Sequence, residues 1–229
     1  MINQKLIRKY FVRPEFSAFL ILVILSAVTY YLNPFFFHPA NIELIITYAS
    51  IFSLVGMAQM LVMIVGGFDL AIDAYMMYSN IIAAALCAWY GVNIWIAILV
   101  AVGTTALIGF CEGLFATFFS PPFPFIAPAF IITVAVHFII PGLMLVLTGG
   151  FNISELPREY AFIGQGELLG IPVPTIIFLS IAGILAYVLH FTRIGIHMYA
   201  TGGNDESARR AGINVDRVRI LCFTVGPTL

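Results

Sequence analysis

Six stretches of this chain, at roughly 16–32, 42–65, 70–90, 92–118, 123–148 and 174–191, are each long and apolar enough to cross a bilayer, which needs about 20 mostly apolar residues. A seventh begins near Ile220 and runs over 220–229. That pattern leaves little room for a soluble fold. Hydrophobic residues are 62% of the 229, charged residues only 9%, and the mean hydropathy is +1.05, whereas soluble domains average about 45–50% apolar and about 25% charged. A single soluble domain of this length could not hide so much apolar surface from water. The expected fold is therefore all-α: a polytopic transmembrane bundle over 1–229, with six spans, the start of a seventh, and helices broken at Gly and Pro.

The N-terminus is compatible with that reading. Lys5, Arg8, Lys9 and Arg13 precede the first apolar run in the manner of a secretory signal. A cleavable signal has a shorter apolar region and small residues at its cleavage site. Here the run ends in Tyr30-Tyr31-Leu32-Asn33-Pro34-Phe35, all bulky, and so reads as an uncleaved first helix. Basic residues are retained in the cytoplasm. Of the ten, four precede the first span and five (Arg193, Arg209, Arg210, Arg217, Arg219) lie between 192 and 219. Six spans, an even number, separate the two clusters, so both can be cytoplasmic and 149–173 external. The N-terminus is then cytoplasmic.

Gly and Pro punctuate nearly every connection: Pro34 and Pro39, Gly66-Gly67, Gly91, Pro121-Pro122-Pro124, Gly149-Gly150, Pro172 and Pro174. In hydrocarbon each backbone group freed at such a break needs a partner inside the protein. Residues 60–70 (MLVMIVGGFDL) and 143–153 (LMLVLTGGFNI) echo one another across three spans. That is the parity of an inverted repeat, between whose halves transport sites often lie. Two apolar helices each ended by glycine would produce the same echo.

The composition also excludes function classes. A net charge of −1 gives no support for binding nucleic acid or another polyanion. Cys87, Cys111 and Cys222 form no metal or redox motif and read as small core- or lipid-facing residues. His38, His137, His190 and His197 show no metal-ligand spacing, and no phosphate-binding loop or nucleophile–base arrangement is visible. No catalytic or metal-binding residue is expected, so a transporter built from this chain draws its energy from a partner or an ion gradient.

Three carboxylates stand within the apolar region, where such groups are costly and are functional candidates by default: Asp69, Asp73 and Glu112. Asp69 and Asp73, one turn apart, would sit in the first turns of the third span, where the helix dipole favours negative charge. Asp69 then either caps that helix or lies on a translocation path. Glu112 stands deep in the fourth span without a neighbouring cation, and either faces a polar cavity or is held, protonated, in a structural hydrogen bond.

The 200–215 segment carries start and stop signals for a short helix at 204–212. Asn204 or Asp205 can cap it, acids fill its first turn, Arg209 and Arg210 its last, and Gly212 closes it. Two turns are too short to stand alone in water. The segment either docks into a groove of a soluble partner, with Ala208 and Ala211 on one close-approach face and Arg209 and Arg210 reaching an acidic rim, or is a plain surface loop.

Gly202-Gly203-Asn204, Ala208 and Gly212-Ile213-Asn214-Val215 resemble the cytoplasmic coupling loop of ribose-type permeases in bacterial ATP-binding-cassette importers. Gly66-Gly67-Phe68-Asp69-Leu70 is similar to a Gly-Gly-(Ile/Phe)-Asp-Leu-Ser motif of that family. Pro124-Phe125-Ile126-Ala127, Leu147-Thr148-Gly149-Gly150 and the stretch from Gly164 to Pro174 match further landmarks in family order. The family has Asn where Glu112 stands, and its members continue for several more spans, so this chain looks C-terminally truncated. The resemblance implies an inner-membrane monosaccharide permease, itself no enzyme, paired with a second permease subunit as a homodimer or heterodimer. A periplasmic sugar-binding protein would dock outside, with Glu155, Arg158 and Glu159 as candidates. An ATPase holding ATP and Mg would dock inside at Gly203, Asn204, Glu206, Ala208, Arg209, Arg210, Gly212 and Ile213. The rival readings are an ion-coupled secondary transporter or channel subunit using Asp69, Asp73 or Glu112, and a non-transporting truncated remnant.

Overall fold

The computed structural model describes residues 14–119 and 126–229. The basic residues Lys5, Arg8, Lys9 and Arg13 and the turn Pro121-Pro122-Pro124-Phe125 lie outside the described residues. The chain packs as two units, divided between Tyr48 and Ala49. In the first, α1 (Pro14–Leu32) is followed by a 3-10 turn, Pro34–Phe37. Asn33 caps that turn, its side-chain oxygen accepting from the Phe35 N–H at 3.0 Å. Asn41 then donates from Nδ2 to the Phe36 carbonyl at 2.7 Å as α2 (Pro39–Ile64) begins.

The second unit holds the remaining helices: α3 (Ile72–Tyr90), α4 (Ile94–Phe118), α5 (Ile126–Thr148), α6 (Arg158–Gln165), α7 (Val173–Phe191), α8 (Arg193–Gly203), α9 (Asp205–Arg210) and α10 (Val215–Val225). The expectation of an all-α chain needs one correction. Glu167–Leu168 and Ile171–Pro172 pair as a two-stranded antiparallel hairpin. Leu169 (φ +56) and Gly170 (φ +75) supply the left-handed pair of its two-residue turn. The helix that leads into the expected seventh segment begins at Val215, where Asn214 caps it by accepting from the Arg217 N–H at 3.0 Å.

Both Gly-Gly pairs end helices. Gly66 (φ +80) lets the Gly67 N–H return to the Val62 carbonyl at 3.0 Å, and Gly149 and Gly150 (φ +63 and +79) close α5 in the same way. Pro141, by contrast, sits inside α5 without ending it.

Four of these helices, α2, α4, α5 from Ala129 and α7, are long and apolar enough to cross a membrane, and only 17–28% of each is buried within the chain. Their outward surface is apolar: Leu99, Phe118, Ile131 and Val146 are all exposed. A surface of this kind has to be covered by lipid or by other helices. The helix α1 contributes a shorter apolar stretch, Phe16–Leu32. Within α3, Asp73, Ser79 and Asn80 dilute the apolar pattern.

Candidate functional site

The helix α4 is central to the second unit, packing against α3, α5 and α10. A ladder of small residues four apart makes this possible: Ala97, Ala101, Thr105, Gly109 and Gly113 are all buried. Where α4 crosses α10 the contact is backbone to backbone. A Cβ added at Gly113 would lie 2.9 Å from the Phe223 Cβ and 3.1 Å from the Ile220 Cα, so nothing larger than glycine fits unmoved. This is the small-residue packing by which membrane helices approach closely. The Gly109-x-x-x-Gly113 spacing was visible in the sequence as its signal.

Between those two glycines Glu112 turns into the bundle, 2% exposed, and its Oε2 accepts from the Tyr75 hydroxyl on α3. Asp69 is also buried, 3% exposed. Its Oδ1 accepts from the Ala71 N–H at 2.7 Å, which bends the chain into α3. Asp69 therefore precedes the helix and is not its cap, a position held by Ala71. Asp73 does lie in the first turn but points elsewhere, 2.9 Å from Nδ1 of His137 on α5. The three sequence candidates thus separate into a buried group, Asp69 with Glu112 and the unforeseen Tyr75, and an exposed pair, Asp73 with His137. Among the described residues, the cavities of 190, 350, 420 and 660 Å³ are lined by neither Asp69 nor Glu112.

The 200–215 segment folds as two helical pieces. The helix α8, which the sequence reading did not anticipate, runs to Gly203, and α9 follows at Asp205. Asn204 separates them and caps α9, its Oδ1 accepting from the Ser207 N–H at 2.8 Å, while Gly212 (φ +85) closes it. Gly202 lies so close to the Ile64 carbonyl that a side chain there would collide with it. This segment therefore sits against the C-terminal end of α2.

Charges hold α9 onto α10. Asp205 and Arg219, side chains 6% and 8% exposed, form a buried pair at 3.2 Å. Arg209 donates twice to Asp216, at 3.1 and 2.5 Å, and Arg210 donates to Glu206 one turn back at 2.5 Å. The hydrogen bond from Arg209 holds the Asp216 carboxyl below its ordinary value of 3.8. One expectation changes accordingly. Ala208 is buried within the chain while Ala211 is exposed, so they do not share an open face. Arg209 and Arg210 make ion pairs within the chain while their side chains stay exposed, 46% and 78%. The outward surface of this segment consists of Gly202, Gly203, Asn204, Glu206, Ser207, Arg209, Arg210, Ala211, Gly212 and Asn214, with Ile213 half-buried.

On the 149–173 segment, Glu155 (φ +64), Arg158 and Glu159 are exposed and make no ion pair with another described residue. The helix α6 is fixed by Tyr160, whose hydroxyl donates to the Asn80 side-chain oxygen on α3. Among the described residues no group of His, Cys, Asp and Glu could hold a metal ion.

A family model described as the permease component of the branched-chain amino acid transport system matches residues 41–228, from the start of α2 through α10. The chain belongs to this family. It is 34% identical to the ribose import permease of Bacillus subtilis, over 99% of this chain and 69% of that protein. Identity to the fructose import permease of Rhizobium meliloti is 30%, over 90% of this chain and 58% of the relative. For the xylose/arabinose import permease of Sulfolobus acidocaldarius it is 29%, over 93% and 59%. The chain spans roughly two-thirds of the length of these permeases. No solved structure matches it.

Proposed function

We propose that this chain is the membrane-spanning permease subunit of an ATP-binding-cassette importer for a neutral monosaccharide. The observation that carries this reading is the similarity, along nearly the whole chain, to permeases named for ribose, fructose and xylose or arabinose. The chain spans the inner membrane six times and begins a seventh crossing near Ile220, within α10, its N-terminus in the cytoplasm. Gly202 against Ile64 supports that topology, since four crossings (α3, α4, α5 and α7) lie between the two contact points. An even number returns the chain to the side it left.

In this reading a second permease subunit completes the pore and a periplasmic sugar-binding protein delivers substrate at 149–173, where Glu155, Arg158 and Glu159 are free to pair. ATP and Mg belong to an ATPase subunit docked on the exposed side of α9. Movement of α9 would reach the bundle through rigid contacts. The pairs Asp205–Arg219 and Arg209–Asp216 tie α9 to α10, Phe223 and Ile220 press on Gly109 and Gly113, and Glu112 on that same helix holds Tyr75 of α3. Asp69, Asp73 and Glu112 act in this scheme by organising helices, with no role as an ion-coupling site.

The test is uptake of D-ribose, D-xylose, D-fructose and D-allose into proteoliposomes holding the permease with its ATPase, with binding protein outside. Uptake should require ATP inside. Uptake driven by an ion gradient without ATP would overturn the reading.

A further inference from the structure

Between α3, α5 and the loop at 150–156 lies a cavity of 660 Å³, within the range of small-molecule sites in proteins, about 300–1,000 Å³. Its walls are mostly apolar, among them Met77, Ile81 and Met144, and no charged side chain lines it. Two carboxamides do, Asn80 from α3 and Asn152 from the loop, together with the ring of Phe151. Asn80 accepts the Tyr160 hydroxyl on its side-chain oxygen, which fixes the orientation of the amide, and its Nδ2 makes no hydrogen bond to another described residue. The Asn152 side chain likewise has no hydrogen-bond partner among the described residues, and Phe151 is 81% exposed. Thr148, also on the wall, is already committed: its hydroxyl donates to the Met144 carbonyl at 3.0 Å and accepts from the Gly150 N–H at 3.3 Å. The site thus offers free donors and acceptors on two amides, one open aromatic face, and no charge.

We infer that this cavity is a binding subsite for a neutral sugar, with Asn80 and Asn152 taking its hydroxyls and Phe151 covering the apolar face of the ring. The inference rests on the monosaccharide reading and gives it a location. A carboxamide both donates and accepts, as a sugar hydroxyl does, so it pairs with either role. An amino acid would leave its ammonium and carboxylate without a partner here, which is costly in a largely apolar pocket. The cavity of 350 Å³ between α2, α7, α8 and α10 makes the contrast. It is lined by side chains such as Leu61, Leu185 and Met198 and offers no hydrogen bond to a hydroxyl.

Ile153 lines the same cavity without belonging to the polar set, so Ile153→Cys in a Cys111→Ser background is a reporter that leaves both amides in place. The full chain in detergent micelles is labelled with a water-soluble maleimide, with and without 10 mM D-ribose, D-xylose, D-fructose or D-allose. A subsite with a Kd of about 1 mM would be about nine-tenths filled, and labelling would slow about tenfold for at least one sugar. Added Asn152→Ala should raise the sugar concentration for half-protection about fivefold, the loss of one hydrogen bond, and Phe151→Leu should also raise it. L-Leucine at the same concentration should give no protection. Unchanged labelling in all four sugars, or equal protection by leucine, overturns the inference. ATP-driven sugar uptake by the unmodified transporter, found together with unprotected Ile153→Cys, would reject the subsite and leave the importer reading intact. Absence of uptake as well would remove both.

Discussion

Removing Arg219 from the buried Asp205–Arg219 pair should destabilise the chain severely, and replacing both partners should not. The two side chains are 6% and 8% exposed and 3.2 Å apart, and the second carboxylate oxygen of Asp205 is buried without a partner. Breaking a buried ion pair typically costs about 3–5 kcal/mol, because the surviving charge is left uncompensated, whereas an apolar replacement of both partners is often neutral or stabilising. For a chain of this size about 1 kcal/mol shifts Tm by about 2–4 °C, so Arg219→Met, which strands the Asp205 carboxylate, should lower Tm by about 6–20 °C. Asp205→Leu combined with Arg219→Met should recover most of that loss. Two native cysteines report the unfolding: Cys87 and Cys222 are buried and become reactive to a fluorogenic thiol reagent only as the chain opens, once exposed Cys111 is replaced by Ser. Cys222 lies on α10 itself, one turn from Arg219, and so reads the relevant helix. The reasoning is refuted if Arg219→Met costs less than about 1 kcal/mol, or if the double variant is no more stable than Arg219→Met alone.

Gly113→Leu should prevent the close crossing of α4 and α10, costing at least about 1–3 kcal/mol by overpacking, whereas Gly103→Leu, where nothing lies within 4 Å, should cost under about 1 kcal/mol; the same thiol assay compares them. Tyr75→Phe strands a buried carboxyl and should cost about 1–3 kcal/mol, and Glu112→Lys, which places an ammonium in the same spot, should be worse than Glu112→Gln, which keeps an acceptor for the Tyr75 hydroxyl. The Asp216 carboxyl is held below its ordinary 3.8 by Arg209, so its contribution is present above about pH 4 and fades as pH falls through the folded value; Asp216→Asn should flatten the acid limb of a stability–pH curve and change little at pH 7, the pair being half exposed.

The helical skeleton was legible because membrane spans obey one strong rule, a long apolar run ended by a breaker. Expected segments at 42–65, 92–118 and 174–191 correspond to Pro39–Ile64, Ile94–Phe118 and Val173–Phe191. Glycine positions were legible for the same reason: Gly66, Gly91 and Gly212 take up left-handed backbone at helix ends, as their placement after apolar or basic turns implied. The hairpin at 167–172 gave no comparable signal, since two residues per strand are too few to show alternation. The helix α8 was hidden because its apolar residues continue the pattern of α7, and Thr192, the cap that separates them, is a single residue.

The polar positions were harder, because a sequence locates a charge along the chain but does not give the long-range partner that decides its role. Asp205 illustrates this. Its place at the start of a short helix suggested a cap or a first-turn acid, yet fourteen residues later Arg219 on α10 pairs with Asp205 in the interior. That pairing turns α9 so that Ala208 faces inward, and it leaves Glu206, Ser207 and Arg210 outside. The residue types that suggested a docking helix were correctly placed on a helix, but rotated about its axis. A partner that reads this segment therefore meets Ser207 and Ala211, and a bulky substitution there probes docking, whereas one at Ala208 would first unpack α9 from the chain that carries it.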